Sequence, residues 1–237
     1  MAQTVSSALA TSRFTVHTKI KNKDDETLPD SSNSIAIIHC MHNCYSSVCK
    51  TSRSEYEAKH IKRDGNIQGG KSDRAFSQKD IDSQTLSDLL WCAQGKNRED
   101  GKLTTPTCRN WQEIRLYVFD SKGVSLYNPQ KHTLTSVAKG DNRGLIAGGQ
   151  NWAADAPVCL VLVADLDKPK SYDVRSQRMA AVDVGICSQN ISLACAAFGL
   201  ATVPRATMDI KSICQLLNLT ENQLPLINNP VGYPAGK

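Results

Sequence analysis

Residues 176–200 read SQRMAAVDVGICSQNISLACAAFGL, and this stretch decides how the rest of the chain is arranged. It is too long for a strand. Met179, Val182, Ile186, Ile191, Leu193 and Phe198 alternate with Ala, Gly, Ser and Cys, so the segment is apolar or small on nearly every side. A helix apolar all round must be buried, either at a domain centre or at a subunit interface. Its small residues let neighbours approach closely, and Gly199 supplies the stop.

Working outward, CLVLVAD at 159–165 is a continuous β-branched apolar run, which predicts a strand buried on both faces. IRLYVFDSKGVSLYN at 114–128 predicts a hairpin, two alternating runs joined by Asp120-Ser121-Lys122-Gly123. SQKDIDSQTLSDLLWCAQG at 77–95 predicts a helix capped by Ser77 or Asp82, with Leu86, Leu89, Leu90 and Ala93 at helical spacing and Gly95 as its stop. DNRGLIAGGQNWAADAP at 141–157 reads as a helix ending before Pro157, interrupted in pattern by Gly148 and Gly149. MDIKSICQLLNL at 208–219 predicts a further amphipathic helix. Helices interleaved with a hairpin and a central strand make the class α+β.

From Met1 to about Lys71 the chain is polar and weakly periodic, which sets an expected boundary between an N-terminal extension, 1–69, and a domain at 70–237. With 237 residues, 40% of them apolar and 22% charged, there is material for one ordinary core. The net charge of +5 comes from Lys and Arg scattered among acids, so no nucleic-acid footprint is expected. The longest apolar runs, IAII at 35–38 and VCLVLVA at 158–164, fall short of the roughly 18 residues of a membrane span, so no membrane is expected as a partner. Nine cysteines, several in apolar company (Cys159, Cys187, Cys195), read as reduced thiols of an intracellular protein. The expected location is therefore cytoplasmic. The first 23 residues carry Arg13, Lys19, Lys21 and Lys23 without an acid, which leaves an organellar address as the alternative. His39, Cys40, His42, Cys44 and Cys49 are dense in possible zinc ligands, but their spacing fits no common zinc pattern and no metal is expected. His132, just past the hairpin, reads as a surface residue.

Five separated motifs then resemble the nitroreductase family: KSDRAF at 71–76, TPTCRNWQ at 105–112, the long helix itself, GLATVPRATMD at 199–209 and VGYP at 231–234. The resemblance covers about residues 70–237. It implies an α+β homodimer with a mostly antiparallel sheet flanked by helices, a long buried central helix, and two FMN molecules at the subunit interface. KSDRAF is similar to the family's basic R-x-S-x-R segment, which implies Lys71, Ser72 and Arg74 at the flavin phosphate and ribityl chain; Gly70 stands where a first Arg is common. TPTCRNWQ is similar to P-S-x-x-N-x-Q, which implies Pro106, Thr107, Asn110 and Gln112 near the flavin. Amide side chains suit the ring's carbonyl–NH–carbonyl edge, and in extended backbone Asn110 and Gln112 share a side. Val203, Pro204, Arg205 and Ala206 match the stretch along the ring, where backbone NH groups near N5 and O4 contribute; family members often carry an acidic residue and Gly where Ala206 and Thr207 stand. Arg205 is left open between phosphate, a substrate anion and solvent. A basic residue often follows GYP, and Lys237 is the candidate.

The resemblance implies an oxidoreductase taking hydride from NAD(P)H through FMN to a small-molecule electron acceptor such as a nitroaromatic or quinone, by a ping-pong scheme. Flavin chemistry needs no side-chain acid or base, so cofactor residues are expected and catalytic ones are not. No G-x-G-x-x-G segment is present, so nicotinamide is expected in the flavin pocket itself. The alternatives are a flavin-dependent dehydrogenase of a small or peptide-derived substrate, of the azoline-oxidising type, and a non-catalytic flavin-binding redox sensor.

Overall fold

Every residue of β4 (Val158–Asp165) is buried, as its unbroken apolar run demands. In the computed structural model, which describes residues 70–236, it lies inside a six-stranded sheet. The other strands are β1 (Ile114–Phe119), β2 (Gly123–Asn128), β3 (Thr133–Lys139), β5 (Ala201–Thr202) and β6 (Gln223–Gly232). Their order is β3-β2-β1-β4-β6-β5, antiparallel throughout. The helices are α1 (Ser83–Gln94), α2 (Gly144–Ala147), α3 (Val174–Phe198) and α4 (Ile210–Leu216). The expectations for residues 1–69, for the His39–Cys49 cluster and for Lys237 lie outside the described residues.

Strand alternation sorts the core into two layers. Leu116 and Val118 of β1 and Leu160 and Leu162 of β4 face Leu89, Leu90 and Ala93 of α1 and Ala180, Val184, Cys187 and Ile191 of α3. Tyr117, Phe119, Cys159, Val161 and Val163 face the other way, onto Ile146 of α2 and Ile213 of α4. Two covered faces explain why β4 shows no polar alternation.

Asp82, not Ser77, caps α1: its Oδ1 accepts the Gln84 and Thr85 N–H groups at 3.1 and 2.9 Å. Gly95 does not end α1 through a left-handed turn. Its backbone is extended, and a Cβ there would sit 2.4 Å from the Trp91 ring, so close approach requires the glycine. Asp173 caps α3 through the Ser176 N–H at 2.7 Å, and Gly199 (φ 68°) ends it. The Asp120 carboxylate makes the hairpin turn by accepting the Lys122 and Gly123 N–H groups at 2.7 and 2.9 Å.

Within the chain α3 buries one face, and Val182, Ile186 and Leu193 on its other face are 52, 36 and 37% exposed. Four expectations need correction. By length and mean hydropathy α3 does reach what a membrane span requires, contrary to the reading of short runs, yet its inner face packs on α1 and the sheet. The 141–157 helix is broken into α2 and a 3-10 turn (Asn151–Asp155) by Gly148 (φ 52°) and Gly149 (φ 87°). α4 is shorter than its pattern, and β3 and β6 were not foreseen as strands.

Candidate functional site

Residues 70–77 form a strap tied between β5 and the end of the chain. The Asp73 N–H donates to Thr202 O at 3.1 Å, Ser77 N–H to Tyr233 O at 2.9 Å, and Ala235 N–H to Ala75 O at 3.0 Å. Between this strap, the C-terminal half of α3 and residues 199–204 opens a cavity of about 680 Å³. Gly70, Lys71 and Ser72 line one wall, Gln189, Ser192 and Leu193 of α3 another, and Pro204 a third. The volume falls within the range of small-molecule and cofactor sites. Lys71 is 69% exposed and pairs with Asp73 at 3.2 Å. Burial raises the Asp73 carboxyl, but Lys71 and the Ala75 and Arg74 amides outweigh it and hold the group below its ordinary value.

The remaining segment residues go elsewhere. Arg74 is exposed and lies outside the cavity lining; its guanidinium sits over the Trp152 ring at 5.9 Å. Val203 is buried. Ala206 and Thr207 are exposed, and their backbone N–H groups have no partner among the described residues.

Arg205 is the clearest correction. Its buried guanidinium donates to Ile146 O at 3.0 Å, Ala147 O at 2.9 Å, Asn228 Oδ1 at 3.0 Å and Gln150 Oε1 at 3.2 Å, and it stacks on Trp152 at 4.9 Å. It closes the C-terminal end of α2 and ties it to β6. Committed to these acceptors, it has no fork left for a phosphate or a substrate anion. Asn228 completes the knot: it exchanges backbone hydrogen bonds with Arg205 at 2.8 and 2.7 Å and donates Nδ2 to Thr207 O at 3.0 Å.

The 105–112 loop docks on a different part of α3. Thr105 Oγ1 donates to Ala93 O and accepts from Asn190 Nδ2. Asp183 Oδ2 accepts the Cys108 N–H at 2.7 Å. Asn110 and Gln112 do not lie in extended backbone: Arg109, Asn110 and Gln112 have φ of 50, 57 and 50°. Both amides still come together, because Gln112 Nε2 donates to Asn110 Oδ1 at 3.2 Å and to Gly101 O at 3.0 Å. Thr107 closes this turn, its Oγ1 accepting the Gln112 N–H at 2.8 Å.

None of Pro106, Thr107, Asn110 and Gln112 lines the cavity that Lys71 and Ser72 enter. At 3.6 residues per turn, Val182, Ile186 and Leu193 form one exposed stripe whose C-terminal member, Leu193, reaches the cavity wall. Asp183 and Asn190, which hold the loop, lie roughly a quarter turn to one side of it, and Ser192 and Ala196, which line the cavity, roughly a quarter turn to the other.

Two further features were invisible as functional signals. Glu113 and Asp183 are buried acids, and Glu113 reads in sequence as one more polar residue before a strand. His132 is not a surface residue: it is half-buried, bonded to Ser87 Oγ at 2.8 Å and Tyr127 OH at 2.7 Å, and burial lowers its pKa. Burial pushes the Cys159 and Cys187 thiols up to about 12, so both are protonated at neutral pH and unsuited to nucleophilic or metal chemistry.

Comparison with known proteins agrees with this architecture. The family model described as the nitroreductase family matches residues 67–233. A protein of Methanocaldococcus jannaschii named as a nitroreductase is 27% identical over 172 residues, covering 68% of this chain and 86% of its own. An FMN reductase [NAD(P)H] of Bacillus subtilis is 29% identical over 131 residues, 48% of this chain and 53% of its own, so the match spans about half of that relative. The crystal structure of a Ralstonia eutropha protein, also named as a nitroreductase, superimposes with a TM-score of 0.71 at 27% identity, covering 80% of this chain and 89% of that one. The matched span exceeds half of the sequence, and the chain belongs to the nitroreductase family.

Proposed function

We propose that this flavin oxidoreductase binds FMN between two copies of the chain and passes hydride equivalents from NAD(P)H to a small acceptor such as a quinone or nitroaromatic. The observation that carries the reading is the division of the site. A cavity with a cation and a hydroxyl lies on one flank of the exposed α3 stripe, and an amide pair lies on the other. A second copy seated on Val182, Ile186 and Leu193 stands beside both, which would bury those side chains and complete the site.

The donor set fits such a cofactor. Lys71 and Ser72 offer a charge and a hydroxyl to phosphate oxygens. Asn110 and Gln112 offer donors and acceptors to a carbonyl–NH–carbonyl edge. The unpartnered N–H groups of Ala206 and Thr207 can stabilise negative charge on a reduced ring. FMN held by these residues would supply the hydride chemistry that links nicotinamide to acceptor. The chain's own residues hold the ring, exclude water and supply positive potential, and no side chain transfers a proton in the scheme. The name of the Bacillus subtilis relative supports FMN and NAD(P)H as the pair.

Mixed dimers test the shared site. One variant carries Lys71→Ala with Ser72→Ala, the other Asn110→Ala with Gln112→Ala, and each homodimer should lack flavin and activity. Copurified heterodimers should regain one intact site and about half of the wild-type activity per dimer. No recovery, with both chains folded, would place all four residues in one subunit and remove the interface from the proposal.

A further inference from the structure

Glu113 is fully buried at 0% exposure, and neither of its carboxyl oxygens has a donor among the described residues. Water cannot solvate it, and an ionised carboxylate in such a place is strongly disfavoured. The acid facing it is Asp183 of α3, 6% exposed and within hydrogen-bond reach. Asp183 is also the acceptor for the Cys108 N–H, at the start of the turn that carries Asn110. Two touching carboxyls do not both ionise readily.

Other charges around the pair are few and placed. Lys168, on the loop after β4, faces it and donates Nζ to the Gln112 carbonyl. Arg115 and Asp165, one step along β1 and β4, are satisfied by each other at 2.6 Å. Arg109 of the turn itself points to solvent, and α1 contributes the neutral Gln94, bound to Ile114 O. Between Cys108 and Glu113, Arg109, Asn110 and Gln112 are held in left-handed backbone. Such a turn persists only where its surroundings over-determine it. Asp183 holds the start of the turn through the Cys108 N–H, and Glu113 follows its end, just before β1.

We propose that Glu113 and Asp183 hold one proton between them as positioning groups for the Asn110–Gln112 amide pair. When that proton leaves, the two carboxylates repel, the turn loosens and flavin affinity falls. Burial first, and then Asp183, push the Glu113 carboxyl up to about 7, which puts this release in the neutral range. The ligand in this inference rests on the flavin reading above; the shared proton does not.

The test measures FMN dissociation constants by flavin fluorescence from about pH 6 to about pH 8.5 for the wild type and Glu113→Gln, a side chain of the same shape that stays neutral. Wild-type affinity should fall at least about tenfold relative to the variant across that range, since a one-unit pKa difference corresponds to that ratio. The phosphate of FMN titrates equally in both experiments and cancels in the comparison. Infrared difference spectra of the same proteins without flavin supply the second readout. A protonated-carboxyl band present in the wild type in weak acid, fading through neutral pH and missing in Glu113→Gln, supports the shared proton. Parallel pH profiles in the two proteins would overturn the positioning role, and an absent band would overturn the proton. If FMN binds at no pH, the flavin reading and the positioning role fail together, while the band still decides the proton.

Discussion

Replacing Arg205 by Met separates a structural tie from a cofactor ligand. Met keeps most of the aliphatic stem and removes the fork. Two acceptors lose their donor inside the protein, Ile146 O at the end of α2 and Oδ1 of the fully buried Asn228, while Ala147 O keeps the Gln150 N–H at 2.9 Å. Each buried acceptor left without a partner costs about 1–3 kcal/mol. The bond to exposed Gln150 adds little, and the stack on Trp152 at 4.9 Å adds about 0.5–1 kcal/mol. The expected loss is about 4 kcal/mol, a large share of the roughly 5–15 kcal/mol that holds a domain together. Urea unfolding in the cold, followed by tryptophan fluorescence, reads it as a lower midpoint with an unchanged slope. Arg205→Lys should fall between, because a point charge reaches fewer of these acceptors. FMN affinity of the folded fraction should change little in either variant. A loss of stability below about 1 kcal/mol together with a tenfold or greater loss of FMN affinity would refute the reasoning and return Arg205 to the cofactor.

Gly148 has φ 52°, and an added Cβ would meet Met208 backbone atoms at 2.9 Å; Gly148→Ala should therefore cost about 1–3 kcal/mol by chemical unfolding. Val182→Glu with Ile186→Glu should leave secondary structure intact and convert a dimer to a monomer in light scattering, with loss of flavin; a variant that stays dimeric would move the interface off α3. The pH dependence of stability has a definite sign at Glu113. Its folded pKa, about 7, is above the ordinary 4.5, so the contribution is present below about pH 4.5, lost as pH rises through about 7 and constant beyond. That difference corresponds to about 3 kcal/mol, which Glu113→Gln should remove from the profile; superimposable wild-type and variant profiles would contradict it.

What the sequence revealed follows from where burial is symmetric. β4 and the hairpin carry their pattern in plain residues, because both faces of β4 and alternate positions of β1 meet apolar layers. β3 lies at the sheet edge with five exposed residues leading it, so TLTSVAK carries no apolar alternation to read. β6 was hidden by Pro225, Asn228, Asn229 and Pro230, which look like a loop. Pro230 is tolerated because its nitrogen points the same way as that of Asn228, towards Arg205 and away from the β4 ladder. The buried asparagines serve partners distant in sequence, Arg205, Thr207 and Ser188, which periodicity cannot report.

At the site, KSDRAF and TPTCRNWQ were legible as segments, but not the direction of each side chain. Arg74 and Arg205 flank one tryptophan ring instead of joining Lys71 in the cavity. Glu113 gave no signal, since its environment is created by α3, which follows it in sequence by about seventy residues.

The most direct test of the account is the visible spectrum of the purified full chain, taken anaerobically before and after NADPH is added. The expected result is an oxidised-flavin spectrum, near one FMN per chain, that bleaches on addition and returns when a quinone is supplied. A chain that copurifies without flavin and fails to bind added FMN would contradict it.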